Sequence, residues 1–153
     1  MESLDDAREE LKRVDHLIYV SLKYTRTIDV FINALGRMVD AYEFMFDALL
    51  KHAVENKKLA EVPKTPIEKG NLVKELYAAD EQVLKNVEIF FLMRKLLKVQ
   101  NYGKEQEYRR HVTMRMVVDG KEEILDIDSM TEHYHAQMEF FNKVKKILIG
   151  EEV

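Results

Sequence analysis

The chain has 153 residues, a formal net charge of −4, 46% hydrophobic and 34% charged residues, which suits one folded domain burying roughly 70% of its unfolded surface. With no cysteine, disulfides, thiolate metal sites and thiol nucleophiles are excluded. The negative charge argues against a whole-protein affinity for nucleic acid and leaves only a local basic patch for that role.

Met1 to Asp6 is acidic and lacks an apolar signal core, and no run approaches the roughly 18 apolar residues of a membrane span. A cytoplasmic protein without membrane association is expected. The first helix is predicted over residues 4–24, where Leu4, Ala7, Leu11, Val14, Ile18 and Leu22 follow the i, i+3/i+4 rule and Leu17 and Val20 widen the face. Ser3 is its expected cap, with Asp6 three residues later. Thr25 and Thr27 offer a break and a new cap, with one continuous helix as the rival reading.

The second helix, from Thr27 to Ala53, is apolar on two adjoining faces. One stripe holds Ile28, Phe31, Ile32, Leu35, Met38, Val39, Tyr42, Phe46, Leu49, Leu50 and Ala53; the other holds Val30, Ala34, Ala41, Phe44 and Ala48. Such a helix needs cover on more than one side, at the centre of a bundle or from a second copy of the chain. Gly36, in its middle, is expected to permit a close helix crossing.

After a polar loop, Thr65-Pro66-Ile67-Glu68 is a start signal with Thr as cap and Pro at the first helical position. Asp80 is a candidate cap for a further helix carrying Val83, Leu84, Val87, Phe90, Phe91, Met93, Leu96 and Leu97, either separate from its predecessor or joined to it by a kink. Gly103 is expected to close it in the left-handed conformation.

From His111 the period changes to two, and Val118-Asp119-Gly120-Lys121 reads as a two-residue hairpin turn. That register pairs Met116 with Glu123, Met114 with Leu125 and Val112 with Ile127 on a face laid on the helices. It pairs Val117 with Glu122, Arg115 with Ile124, Thr113 with Asp126 and His111 with Asp128 on the other. Ser129 to Glu132 reads as a capping box for a last helix, whose apolar face is Met130, Tyr134, Met138, Phe141, Val144, Ile147 and Leu148. The expected fold is mainly α: residues 1–153 as a single antiparallel four- or five-helix bundle with one β-hairpin, at about residues 111–127, before the last helix.

Three groups of residues are candidate sites. Arg109, Arg110 and His111, with Arg115 on the same hairpin, form the basic cluster least diluted by acids; arginines beside a histidine suit phosphate, and Tyr102 and Tyr108 suit base stacking. Pairing with Glu105, Glu107, Asp126 and Asp128 is the competing structural reading. Glu132, His135 and Glu139 share one helix face with metal-ligand spacing, but the second Glu-x-x-His of a carboxylate-bridged pair is missing, and a solvated face opposite the apolar one is the favoured structural reading. Arg26, Asp29, Asn33, Arg37, Asp40 and Glu43 form a polar ribbon that Asp15, Tyr19 and Lys23 of the first helix are placed to reach, or an ordinary wet face of i, i+4 pairs.

An acidic first helix, then a long helix ending in Ala41-Tyr42-Glu43-Phe44-Met45-Phe46-Asp47-Ala48-Leu49-Leu50-Lys51-His52-Ala53, then further helices, resembles the HEPN (higher eukaryotes and prokaryotes nucleotide-binding) domains over residues 4 to 98 and the last helix. The resemblance implies a small helical bundle, often dimeric, among proteins that include toxin ribonucleases and partners of nucleotidyltransferases. Their catalytic signature, an Arg four to six residues before a His, is absent: Arg94 has no such His, and Arg109 and Arg110 abut His111. The expectation is therefore a non-catalytic homodimeric interaction or scaffold protein, with no cofactor and with a protein partner as its target. A HEPN-like RNA- or nucleotide-binding protein or divergent ribonuclease is the alternative, and a metal-binding bundle protein the third reading.

Overall fold

The computed structural model describes residues 2–150. Helix α1 covers Glu2–His16, runs through a π-helical stretch at Leu17–Ser21 and ends with Leu22–Tyr24. Its apolar face from Leu4 to Leu22 is buried as the spacing predicts. Ser3 is not a cap: it lies inside the first turn, where its hydroxyl accepts a hydrogen bond from Lys51 Nζ at 2.7 Å.

The chain then breaks, and α2 spans Ile28–Glu55. Thr27 occupies the cap position but its side chain makes no capping bond. The carboxylate of Glu107, 79 residues onward, accepts the Ile28 N–H at 3.0 Å instead. A distant acid thus supplies what a local threonine was expected to give, and it also meets the positive end of the helix dipole.

Helix α2 is the central element, packed by α1, by α3 (Pro66–Leu76), by α4 (Glu81–Lys98) and by α5 (Ile127–Ile149). Its first stripe is buried at Ile28, Phe31, Leu35, Met38, Tyr42, Phe46, Leu49, Leu50 and Ala53, its second at Ala34, Ala41 and Ala48. The two-sided apolar helix that raised the prospect of a second copy is therefore covered within one chain. At its centre Tyr42 and Phe46 meet Phe90 of α4 and Phe140 of α5, with ring centroids 4.9 to 6.1 Å apart. Stacked, tilted and edge-on contacts at these distances add to the area buried.

Gly36 permits no close crossing, since a Cβ built there meets nothing within 4 Å. The close approach is at Gly70 of α3, where a Cβ would lie 2.7 Å from the Phe91 ring of α4. Thr65 and Asp80 cap α3 and α4 as their sequences predict, Thr65 accepting from Glu68 N–H and Asp80 from Gln82 and Val83 N–H. The two helices are separate.

The hairpin belongs to a three-stranded antiparallel sheet, β1 (Gly103–Glu105), β2 (Thr113–Val118) and β3 (Lys121–Leu125), in the order β1-β2-β3. Val118↔Lys121 through Met114↔Leu125 hold the expected register around a turn with Asp119 and Gly120 at φ 53° and 78°, the paired left-handed geometry of a two-residue hairpin. Met114, Met116, Val118 and Leu125 face the core. Gly103 is no helix cap; it opens β1 opposite Arg115. The pairs of Val112, Thr113 and His111 with Ile127, Asp126 and Asp128 do not form, because Asp126 leaves the sheet to cap α5. Its carboxylate accepts Ser129 N–H at 2.8 Å while Ser129 Oγ accepts Asp126 N–H at 2.9 Å, so the capping box lies three residues earlier than predicted. No helix of the described residues is long and apolar enough to cross a membrane.

Candidate functional site

The break between α1 and α2 is where distant parts of the chain converge. The loop after β1 docks on it through Glu107 at the start of α2 and through Tyr108 N–H, which donates to Arg26 O at 2.6 Å. Gln106 and Tyr108 adopt φ 54° and 70°, left-handed conformations that cost a non-glycine residue roughly 1–2 kcal/mol each. Those two long-range bonds hold the loop in this shape. Its continuation sets Arg110 and His111 opposite the C-terminal end of α1.

The result is a cavity of about 600 Å³ lined by Ile18, Tyr19, Leu22, Lys23, Arg26, Arg110, His111, Thr113, Asp126, Ile127 and Asp128. Its size falls in the range of small-ligand sites, and apolar walls with a few convergent polar groups are their usual make-up. Three fixed cations, Lys23, Arg26 and Arg110, stand against two carboxylates, and one of those, Asp126, is engaged in capping α5.

Lys23, Arg26, Arg109 and Arg110 form no ion pair among the described residues, in contrast to Arg8, Arg13, Arg37 and Arg115. Arg26 Nε is buried and has no hydrogen-bond partner, so a protein donor points at nothing the protein supplies. Tyr19 on the cavity wall is 46% exposed, and Tyr24 and Tyr108, in the two segments joined by the Arg26–Tyr108 bond, are 78% and 76% exposed. Cations interleaved with exposed aromatic rings are the composition of a phosphate-and-base surface.

The structure divides the sequence candidates. Arg110 and His111 line the cavity, Arg26 joins them from the polar ribbon, and Tyr19 and Lys23 from the first helix that was placed to reach it. Arg109 does not line it. Arg115 points elsewhere, its guanidinium bonded to Glu105 at 2.7 Å and Glu122 at 3.3 Å; Glu105, and after it Glu122, hold it even more firmly charged than usual. The remainder of the ribbon is not part of this cavity: Asn33 and Arg37 border a separate one of about 230 Å³ with Arg13, His16 and Leu17. There Glu10 bonds both Arg13 and Arg37, and burial together with the Glu10 charge raises the Asp40 carboxyl above its ordinary range.

Glu132, His135 and Glu139 are exposed, and no group of three or more His, Asp or Glu side chains among the described residues is placed to hold a metal ion. Glu132 and Glu139 are about 10 Å apart along the helix axis, and no second helix brings a ligand toward them. His135 has a different neighbour, the Tyr19 hydroxyl 2.8 Å from its Nε2. Beside it Tyr134 donates its hydroxyl to Asp15 Oδ2 at 2.8 Å; burial, and then this bond, push the phenol far above its ordinary pKa.

Sequence reasoning did not place Asp126, Ile127 and Asp128 at this site, since all three were assigned to the hairpin. The signal was present in Asp126 and Ser129, whose spacing also satisfies a capping box. Comparisons with protein-family models, with curated proteins and with solved structures found no match for this chain.

Proposed function

We propose that the protein is a non-catalytic, cytoplasmic nucleotide-binding protein whose ligand places its phosphate among Lys23, Arg26 and Arg110. The observation that carries this reading is the convergence of three unpaired cations on one cavity, with Arg26 Nε buried and unpartnered. Elsewhere on this acidic protein Arg8, Arg13, Arg37 and Arg115 are matched to carboxylates, while Arg94 lies over the Phe90 ring and Arg109 is unpaired among the described residues. An anion in the cavity meets these unpaired cations, and charge-assisted bonds to a phosphate are stronger than neutral ones. Tyr19, Ile18 and Leu22 give the base an apolar and aromatic wall. The HEPN resemblance points the same way, toward nucleotides. No nuclease step is proposed, because the Arg-to-His spacing of that activity is absent from the sequence.

Isothermal titration of the full chain with AMP tests the reading. A single saturable site is expected, weakened about tenfold, or ~1.4 kcal/mol, by each of Arg26→Gln and Arg110→Gln. Affinity should also fall with added salt. Absence of saturable binding, or variants that bind as the wild type does, would overturn it.

A homodimeric interaction module is the second reading, favoured by the outward face of the sheet, where Val117 is 64% and Ile124 41% exposed. Sedimentation across a hundredfold range of concentration tests it: a dimer that Val117→Lys dissociates supports it, and a monomer throughout removes it.

A further inference from the structure

The seam between α1 and α5 holds two cavities end to end. Besides the first, a second of about 450 Å³ is bounded by Leu11, Asp15, Tyr134, Met138, Phe141 and Asn142. On α1, Leu11 and Asp15 of the second cavity and Ile18 and Leu22 of the first succeed one another at helical spacing along one flank. What separates them is a narrow partition: the Tyr19 and Tyr134 rings meet edge-on at 6.1 Å, with Tyr19 on His135 and Tyr134 on Asp15.

The second cavity has the chemistry of a slot for a flat heterocycle. Phe141 and Tyr134 provide aromatic surface, and the Arg8 guanidinium already stands 5.6 Å from the centre of the Phe141 ring. Tyr134 occupies one oxygen of Asp15 and leaves the other as an acceptor. Asn142 is exposed, and its carboxamide makes no hydrogen bond among the described residues, so it offers both a donor and an acceptor to a ring edge.

Leu11 and Leu22 are about 16 Å apart along α1 at 1.5 Å per residue. That separation exceeds one nucleoside monophosphate and suits two nucleosides joined through phosphate. We infer that the α1–α5 seam is a dinucleotide site, with one base and the phosphate linkage in the Lys23–Arg26–Arg110 cavity and the second base in the Leu11–Phe141–Asn142 slot. The linker lies across the half-exposed Tyr19 ring. This rests on the nucleotide-binding reading above and adds the class of nucleotide. The two linkages that satisfy it are a pyrophosphate and a phosphodiester.

The test is titration of the full chain with AMP, with diadenosine pyrophosphate and with the phosphodiester dimer pApA. At least one dimer is expected to bind ~10-fold or more tighter than AMP, because the second base binds as an intramolecular event, and the tighter dimer identifies the linkage. Asn142→Trp, at an exposed helix position, should fill the slot and reduce the dimer's affinity to that of AMP while AMP binding is unchanged, which also verifies that the variant is folded. Dimers no tighter than AMP would overturn the inference and leave the nucleotide reading intact, as would a dimer preference that survives in Asn142→Trp. No binding by any of the three overturns both.

Discussion

The middle of the bundle and its α1–α2 end treat polar groups in opposite ways. In the middle, Tyr42 donates its hydroxyl to Asn86 Oδ1 at 2.6 Å, Asn86 donates to Gln82 O, and Gln137 donates to Met38 O, all beneath aromatic packing. At the end, Lys23, Arg26 and Arg110 surround open volume with no carboxylate paired to any of them. Polar groups in the first region bond to the fold, since an unmade hydrogen bond there costs more than a made one gains, although Gln137 Oε1 stays buried without a partner. In the second region exposure to solvent lets Lys23 and Arg110 go without partners and leaves them available to a ligand, while Arg26 Nε is buried without one.

The difference can be broken from the core side first. Phe90→Ala, which removes a fully buried ring touching both Tyr42 and Phe46, should cost about 3–5 kcal/mol in urea unfolding. Tyr42→Phe leaves the Asn86 carbonyl oxygen without its donor and should cost about 1–3 kcal/mol. A cost near zero would mean that water enters that part of the core.

The two helix glycines should respond with opposite sign. Gly70→Ala drives a methyl into the Phe91 ring and is expected to destabilise by about 1–2 kcal/mol, whereas Gly36→Ala, in open space, should stabilise by about 0.5–1 kcal/mol through helix propensity alone. Thermal melts of the pair decide it. At the polar end, Glu107→Ala removes the cap on α2 and should cost about 1 kcal/mol while also weakening AMP binding, because the same loop sets Arg110 in place.

Asp80 supplies the pH-dependent case. Burial raises its carboxyl, but the hydrogen bond from Lys143, the Val83 and Gln82 amides and the Lys143 charge outweigh burial and hold it below its ordinary range. A depressed carboxyl stabilises the fold above its unfolded pKa of about 3.9 and loses that contribution as pH falls through the folded value. Asp80→Asn should therefore be less stable than wild type at pH 7, and the gap should narrow below about pH 4. The smallest effect is expected from Arg26→Gln and Arg110→Gln, within about 0.5 kcal/mol of wild-type stability despite their effect on nucleotide binding. That separation of stability from affinity is the sharpest form of the comparison.

Local patterns were legible where local chemistry settles them. Helical spacing gave the buried faces of α1 and α2, Thr65 and Asp80 marked the starts of α3 and α4, and Asp119-Gly120 set the register of β2 and β3 because only a left-handed pair closes that turn. Strand β1 was not legible: its three residues are all exposed and carry no alternation. The buried Phe140 and Gln137 of α5 were missed because the apolar face, drawn through Tyr134 and Phe141, was taken as narrower than it is. Half the candidate cluster was visible, in Arg110 and His111 and in the reach of Tyr19 and Lys23 toward Arg26. Which arginine is neutralised was not, because Arg115 and Arg110 look alike until β1 brings Glu105 to one of them.

What the sequence by itself determined is the set of helices, the hairpin turn and the need to cover α2 on two sides, all consequences of periodicity and of residues that fix φ or offer a cap. Only the tertiary structure decided what provides that cover, that Glu107 caps a helix 79 residues away, and that Lys23, Arg26 and Arg110 share one cavity. Those outcomes depend on contacts between segments far apart in the chain, and the energy of a long-range contact is set by geometry that no local pattern of residues encodes.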